Sequence, residues 1–517
     1  MVSNGVVPRS TGLIVAVLTA LAIGGCAAHR QPAADATFDR LQGDTLLAAG
    51  CYRCLEEAQT VYDRLAESSR RDAAAVRAHA FDAAVLLAVR DRELGLRAND
   101  HAPAVRSRLA SETGARAKTF VAVMELVPWP VYAATSAERD AMLVSKPAAG
   151  DTAARLHTEL AALPASDVTA QYLVQTLDCL SPDVPSDEPS RQAGAPGAMP
   201  ALLSYRAATC GVPDIDALER LKRSDPRFEE IELPMGNAAL NGGALLSAEH
   251  HHAVALHAFP GMLPAAMQLG RVHVMLEEYE ASLPEYQQVL DVIPDQADAM
   301  LGKARALSAL GRPTEAIPIL DQIITMGTWL VGDAYYWRSW NRFRMNELDA
   351  ANRDIEAALQ LMSSARVHFL AGSIASARTE WPRAQAEFDA ALKLDETDCD
   401  IPLALAGVLA RRESWTASSQ RFGSSAECLV QAQARYQTRL DEIRAAPMDD
   451  ARRARFTART EAARKTAHDQ EGLSRFNAAV TAARAGHTVE ARGWAQQARD
   501  WPEWRDRADA LLAKVGG

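Results

Sequence analysis

Small and apolar residues recur every 34 positions between Glu229 and about residue 430, and this period constrains the fold more than any other feature of the chain. The recurring places are positions 8, 17, 20, 24, 27 and 32 of each unit. The unit that begins at Leu263 holds these places with Gly270, Tyr279, Ser282, Tyr286, Val289 and Pro294. The other units begin at Glu229, Ala297, Gly332, Ala365 and Cys399, with one inserted residue before Gly332. A period of this length indicates one supersecondary unit repeated along the chain.

The order of small and large residues within a unit predicts two antiparallel helices. Small residues at positions 8 and 20 let the helices approach closely, and bulky residues at positions 17 and 24 fill the space toward the next pair. The tight turn inside a pair favours a positive φ and falls at Gly243, Glu277, Gly311 and Asn346. Because one pair cannot bury its apolar face alone, the units stack. The expected fold is therefore all-α, a solenoid of stacked helical hairpins.

These residues and their spacing resemble the tetratricopeptide repeat family. The resemblance implies a scaffold without enzymatic activity, cofactor or metal, in which the first helices of successive repeats line a concave groove that receives a peptide segment of a partner protein. The family lines this groove from repeat positions 2, 5, 9 and 12. The expected groove residues are therefore Asn237, Met267, Arg271, Arg305, Tyr336, Trp340, Phe369 and Ser373. Leu301 and Phe343 hold such positions too, but they are expected to pack between repeats.

Arg271 and Arg305 share position 9 in successive repeats, so both are expected to face the groove. A guanidinium group can hold a carboxylate through two parallel hydrogen bonds, and Tyr336 and Trp340 would offer apolar area beside it. We therefore expect an acidic ligand segment, although the chain carries a net charge of -11. The alternative is that each arginine pairs with an acidic neighbour inside the array. The same net charge argues against general nucleic-acid binding, which requires a basic face.

The first 25 residues predict export to the cell envelope. Arg9 precedes an apolar run from Gly12 to Ile23, which is too short to cross a bilayer as a helix. The triplet Ile-Gly-Gly before Cys26 resembles the bacterial lipobox, which implies that Cys26 is lipidated and becomes the first mature residue. Ala27 stands where an aspartate would imply retention in the inner membrane, so we expect the outer membrane and a periplasm-facing protein. An ordinary signal peptide that ends near a cysteine is the alternative.

The chain divides into five expected parts. They are a signal peptide at 1–25, a flexible tether at 26–38, a degenerate helical-repeat region at 39–225 with a proline-rich loop at 181–200, the repeat array at 226–430, and a C-terminal helical region at 431–517 with a repeat-like hairpin. The last part contains a basic stretch from Arg452 to Lys465. Because acidic residues dilute it, we interpret this stretch as a solvated helix face, with contact to anionic headgroups or polyanions as the alternative.

Six cysteines remain after Cys26, an even number that suggests pairing in an oxidising compartment. Two disulfides are predicted. One joins the cysteines that bracket the proline-rich loop, and the other joins the expected start of the first helix and the expected end of the second helix of one repeat: Cys179 with Cys210, and Cys399 with Cys428. Cys51 and Cys54 are one helical turn apart, so a strained local disulfide or free thiols are expected. Redox catalysis would need a βαβ frame, and a zinc site would need two more ligands; neither is visible.

A histidine cluster is the other group that could carry chemistry. His250, His251, His252 and His257 do not converge on a helix, because adjacent residues point about 100° apart. Only His273 on the next helix would complete a site with His252. Since His252 holds packing position 24, we expect a core histidine and no metal site. The alternative function is a metal- or redox-linked periplasmic binding protein that uses these histidines or the Cys-x-x-Cys pair.

Overall fold

The computed structural model describes residues 33–68, 73–110, 114–129, 146–180, 201–210, 213–446 and 448–516. Within these ranges the chain forms 24 α-helices and one short 3-10 helix, with no strand. The predicted all-α class is confirmed. Cys26, the signal sequence and the loop at 181–200 lie outside the described residues. Among the residues that are described, no helix has both the length and the apolarity needed to cross a membrane.

The helices fall into three consecutive groups. Those before the array are α1 (Ala33–Ala49), α2 (Tyr52–Ser68), α3 (Ala73–Leu94), α4 (Ala102–Leu109), α5 (Ala115–Leu126), α6 (Lys146–Ala161), α7 (Val168–Leu180), α8 (Ala201–Thr209) and α9 (Ile215–Ser224). The 3-10 helix (Glu229–Ile231) leads into the array. Three helices follow the array: α22 (Asp450–Arg484), α23 (Thr488–Ala498) and α24 (Pro502–Val515).

Twelve helices build the array as six hairpins, each hairpin packing on the next. In order they are α10 (Glu232–Asn241) with α11 (Leu245–Ala258), α12 (Leu263–Met275) with α13 (Tyr279–Val292), α14 (Ala297–Ala309) with α15 (Pro313–Met326), α16 (Val331–Arg344) with α17 (Leu348–Leu361), α18 (Ala365–Ala377) with α19 (Trp381–Leu394), and α20 (Asp400–Arg411) with α21 (Trp415–Ala445). The first helix of each repeat also contacts the first helix of the next, and within the described residues the second helices make no comparable contact. The first helices therefore line the inner, concave side.

The turn inside each hairpin uses a left-handed backbone. The predicted turn residues all have positive φ, namely Gly243, Glu277, Gly311 and Asn346, which confirms their place in the repeat. The same conformation recurs at the equivalent turns of later hairpins, at Thr379, Glu413 and Gly486. Thr379 and Glu413 hold the repeat position of Glu277 in the units that begin at Ala365 and Cys399, so the period places these turns although neither residue is a glycine or an asparagine. Packing of the two helices imposes the conformation there, against a modest local preference.

A glycine at position 8 makes room for the large residue at position 24 of the same repeat. A Cβ atom on Gly270 would lie 3.1 Å from the ring of Tyr286, and one on Gly372 would lie 2.7 Å from the ring of Phe388. Both rings are buried. The small-to-large pairing inferred from the 34-residue period therefore reflects direct contact between the helices of a hairpin.

Two helices extend beyond the boundaries expected from the sequence. Helix α1 begins at Ala33, inside the segment 26–38 that was expected to be a tether, because its alanine-rich start favours a helix. Helix α21 continues to Ala445, past the expected end of the array at 430, since no glycine or proline interrupts residues 429–445. Cys428 was expected at the end of the second helix of its repeat, but it lies within α21.

A buried charged network joins the N-terminal helices to the array. Arg90 of α3 is fully buried, and its Nη2 lies 2.6 Å from a carboxylate oxygen of Glu230 in the 3-10 helix. The guanidinium also lies over the ring of Tyr205, 3.9 Å from its centroid. The same Glu230 oxygen accepts the backbone N–H of Tyr52 at 2.8 Å. Helices α2, α3 and α8 therefore meet the start of the array around one carboxylate.

Candidate peptide-binding groove

The expected groove residues lie on α10, α12, α14, α16 and α18, the first helices of the first five repeats. Arg271 is exposed. Six others are partly buried: Asn237, Met267, Arg305, Trp340, Phe369 and Ser373. Tyr336 is buried, with 8% of its surface exposed. Since these helices line the inner side of the array, the exposed parts of the seven accessible residues are available to a ligand.

Arg271 and Arg305 have no ion pair within the described part of the chain. Arg305 lies over the indole ring of Trp337, 5.5 Å from its centroid, and its Nε is buried without a hydrogen-bond partner. Both guanidinium groups lie close enough to Tyr286 to oppose the effect of burial, which raises the pKa of that hydroxyl to about 12. By contrast, Arg338 donates to both Asp354 and Asp321 at 2.6 Å. Asp298 lies close enough to Arg271 for the guanidinium to oppose the rise that burial causes in the pKa of that carboxyl, so the alternative of an acidic neighbour holds in part for Arg271.

The aromatic residues of α16 divide between the core and the groove. The ring of Tyr336 packs edge-on against Trp337, with centroids 5.2 Å apart, and Arg366 lies over it at 4.9 Å. Tyr336 was expected to offer apolar area to a ligand, but the structure places it in the core between the fourth and fifth repeats. Trp340 stays partly exposed. The sequence reading overlooked Trp337, whose only signal was its place beside Tyr336.

Leu301 and Phe343 pack between repeats, as expected. Leu301 is buried in the core of the third repeat. Phe343 is partly buried against the core that surrounds Tyr336. Leu301 is therefore not part of the surface that a ligand can contact, whereas the exposed part of Phe343 remains on it.

The histidine cluster does not converge on one point. His252 is fully buried. Its ring packs against Gly236, where an added Cβ atom would lie only 2.6 Å from Cε1 of the ring. Burial lowers its pKa to about 4, so the ring is neutral near neutral pH. His251 instead points to a carboxylate oxygen of Glu232, 2.6 Å from its Nδ1. The expectation of a core histidine at position 24 agrees with this arrangement.

Glu249, His273 and Glu278 come together, with one possible ligand atom of each within 4.8 Å of the others. A metal ion could use such a set, but the guanidinium of Arg452 already bridges the two carboxylates, at 2.7 Å from Glu249 and 2.6 Å from Glu278. Burial lowers the pKa of His273, but the carboxylates of Glu249 and Glu285, 3.4 and 3.6 Å from its ring nitrogens, outweigh it and raise that pKa to about 9. A metal ion at this place would have to displace both the imidazole proton and the guanidinium of Arg452. The arrangement is an ion-pair network.

The basic stretch from Arg452 to Lys465 is therefore only in part a solvated face. Only 15% of the Arg452 side chain is exposed, and Arg459 donates to the backbone oxygen of Leu276 at 2.8 Å. The interpretation was wrong for this first half, because partners that lie far away in the chain cannot be read from local charge. Lys465, 74% exposed, does lie on the solvated side.

The described cysteines lie in three pairs at disulfide distance. The predicted partners have Cα atoms 5.3 Å apart for Cys179 with Cys210 and 5.5 Å apart for Cys399 with Cys428. Cys51 and Cys54 form the third pair, with Cα atoms 4.9 Å apart. Both of these residues are buried, at 0% and 1% exposure. A redox partner could not reach them without local unfolding, so the geometry favours a structural disulfide over a redox site.

Comparison with known protein families supports the repeat assignment. Residues 275–325 match the model of a tetratricopeptide repeat family. The match runs from the end of α12 to the end of α15, which is the clearest part of the 34-residue period. No curated protein sequence matches the chain.

Several solved structures resemble part of the chain. A thermophilic tetratricopeptide protein of Thermus thermophilus is 18% identical, covering 35% of this chain and 99% of its own, with a TM-score of 0.31. Pseudomonas aeruginosa pilF is 12% identical, covering 49% of this chain and 97% of its own, with a TM-score of 0.35. A tetratricopeptide protein of Parabacteroides merdae is 13% identical, covering 56% and 99%, with a TM-score of 0.32. The similarity is to the helical repeats alone.

Proposed function

We propose that this protein is a lipid-anchored scaffold of the bacterial cell envelope that binds acidic peptide segments of a partner protein during envelope assembly. Acyl chains on Cys26 would hold it at the outer membrane, facing the periplasm. The binding surface would be the groove between Asn237 and Ser373. The observation that carries the proposal is the pair of groove arginines, Arg271 and Arg305, neither of which forms a salt bridge in the described array, although Asp298 lies close enough to interact with Arg271.

Two unpaired guanidinium groups one repeat apart suit an acidic ligand. A carboxylate bound to Arg305 would also lie near the exposed part of Trp340 and above Trp337, where apolar side-chain area can pack. The acidic total of the chain sets the long-range field, whereas the groove arginines set the contact.

Replacing both groove arginines, Arg271→Ala with Arg305→Ala, should weaken binding of an acidic segment about tenfold or more, because each charge-assisted hydrogen bond contributes about 1.5–3 kcal/mol. The measurement is fluorescence anisotropy with an array of acidic peptides and their Asn/Gln counterparts. Binding by the unsubstituted protein should weaken as salt rises, and only the acidic peptides should bind.

The matched control for charge is Arg353→Ala with Arg439→Ala, since both side chains are exposed and lie outside the groove. This control should retain the affinity, and all variants should keep their helicity and melting temperature. Binding that survives the groove substitutions and high salt would place the ligand surface elsewhere on the molecule.

The anchor has a separate test. Cys26→Ser should release the protein from the membrane fraction, because stable anchoring takes at least two acyl chains and diacylglycerol on this cysteine would supply them. Fractionation and immunoblotting compare the variant with Ala27→Ser, which changes a neighbouring residue and keeps the cysteine. A Cys26→Ser protein that remains in the membrane pellet would show that the anchor lies elsewhere.

A further inference from the structure

Helices α21 and α22 form a long antiparallel hairpin that leaves the repeat pattern. The positive-φ turns of the array are spaced by about one repeat, but the interval from Glu413 to Gly486 is roughly twice as long. The additional residues project the end of the hairpin beyond the sixth repeat. This end, residues 443–459, is called the tip below, and it returns to the first two repeats of the array.

Charged contacts dominate the join between the tip and the array. Arg452 bridges Glu249 of α11 and Glu278, which lies in the turn between α12 and α13, at 2.7 and 2.6 Å. Arg459 pairs with Glu277 at 3.1 Å and donates to the backbone of the same turn. Without Arg452, two partly buried carboxylates would face each other across the cluster.

A small apolar contact accompanies these charges. Phe456, 6% exposed, and Ile443 pack against Ala248, Val272 and Leu276 of the first two repeats. The guanidinium groups of both clasping arginines lie 5.1 Å from the centroid of the Phe456 ring. Ion pairs rim this patch.

The tip has internal hydrogen bonds that do not involve the array. Arg453 donates to four backbone oxygens near the end of α21, at 2.8 to 3.0 Å. Asp449 accepts the backbone N–H of Arg452 at 2.8 Å and caps the start of α22. These hydrogen bonds would remain if the contacts with the array were broken.

We propose that the tip is a salt-sensitive intramolecular clasp with a closed and an open state. In the closed state the six repeats and the long hairpin form a continuous circuit, in which the first two repeats are tied to the sixth and the curvature of the array is fixed. In the open state the ion pairs of Arg452 and Arg459 are broken and the ends of the array separate. If the groove binds as proposed above, opening also changes its width.

Pulsed electron paramagnetic resonance on the full chain can test the clasp without any ligand. Spin labels are attached through Arg444→Cys on the tip and Glu280→Cys on the array, whose side chains are 65% and 73% exposed. Cys26→Ser removes the one cysteine outside the three pairs. We expect one short label distance at ~50 mM salt and a second, longer distance that gains population toward ~1 M salt, since screening weakens the more exposed Arg459–Glu277 pair most and the partly buried pairs of Arg452 less.

Charge reversal, Arg452→Glu with Arg459→Glu, should give the longer distance at low salt. Adding Glu249→Arg, Glu277→Arg and Glu278→Arg, which reverses the partners of both arginines, should restore the short one. The control, Arg435→Glu with Lys465→Glu, reverses two exposed charges on the same hairpin away from the tip and should keep the short distance.

The proposal is overturned if the charge-reversed protein keeps its helicity and the short distance. If that variant does not fold, the labelled protein without charge reversal decides the matter. A single unchanged distance from ~50 mM to ~1 M salt would then show that the contact is permanent. Because these readouts are distances, they are independent of whether the groove binds an acidic peptide.

Discussion

Replacement of Arg90 by methionine is expected to lower the free energy of unfolding by about 3–5 kcal/mol, since it removes one partner of a buried ion pair. Arg90 is fully buried and lies between Glu230 and Glu93, at 2.6 and 3.6 Å. The other oxygen of Glu230 has no hydrogen-bond partner. The substitution would leave this carboxylate buried without a counter-charge. The cost of that charge exceeds the packing energy that the long methionine side chain retains.

The loss should depend on pH. Burial already raises the pKa of Glu230, and Arg90 opposes that rise. Without Arg90 the folded-state pKa of Glu230 moves further above its unfolded value. A group with a raised folded pKa stabilises the fold below its unfolded pKa and loses that contribution as pH rises through the folded pKa. The Arg90→Met variant should therefore be closer to the unsubstituted protein at acid pH and fall furthest behind it above neutrality.

Urea denaturation followed by circular dichroism, at several pH values, measures this loss. Arg223→Ala is the control, because its side chain is 66% exposed and its pair with Glu219 should contribute less than about 1 kcal/mol. Adding Glu230→Gln to Arg90→Met should recover part of the stability and remove the pH dependence. A loss for Arg90→Met no larger than that of the control would mean that the network does not hold the junction together.

The repeat array is the part of the fold that the sequence predicts best. Its contacts are local, between residues one helix or one repeat apart, so a 34-residue period in side-chain size encodes both the helices and their packing. Gly270 against Tyr286 is such a case. The turn at Glu413 follows the same pattern, since its position in the repeat, shared with the predicted turn at Glu277, and not its residue type specifies the positive φ.

Contacts between distant parts of the chain escaped prediction. Arg452 lies in a stretch whose local charge is mixed, and its partners Glu249 and Glu278 lie in the first two repeats. Arg90 and Glu230 are likewise distant in the chain, and both would ordinarily be placed on the surface. In the candidate groove, position within the repeat located Arg271 and Arg305, whereas the burial of Tyr336 depends on Arg366 and Trp337 around it. The 34-residue period specifies the path of the backbone but does not determine which distant side chains come into contact.

Gly302→Ala should destabilise the protein by about 1–3 kcal/mol, although alanine is the better helix former, because it overfills a closely packed interface. Gly302 lies in α14 against the buried ring of Tyr286 from the preceding repeat. An added Cβ atom would lie 2.5 Å from Cε1 and 2.7 Å from the hydroxyl oxygen of that ring. Real Cβ atoms do not approach so closely, so the ring or α14 must move. The Tyr286 ring also packs closely against Gly270, where an added Cβ atom would lie 3.1 Å from the ring. The ring therefore has little room to move.

Gly407→Ala provides the matched control in a first helix of the same array. Nothing lies within 4 Å of a Cβ atom at Gly407, so alanine there should stabilise by about 0.5–1 kcal/mol through helix propensity alone. Opposite signs for one chemical change, measured by urea denaturation, would isolate the packing of Tyr286 from the intrinsic effect of glycine. In the Tyr286→Leu background the penalty of Gly302→Ala should largely disappear, since the overlapping ring atoms are gone. A penalty that persists there would mean that Gly302 is required by the backbone of α14 and not by the ring it faces.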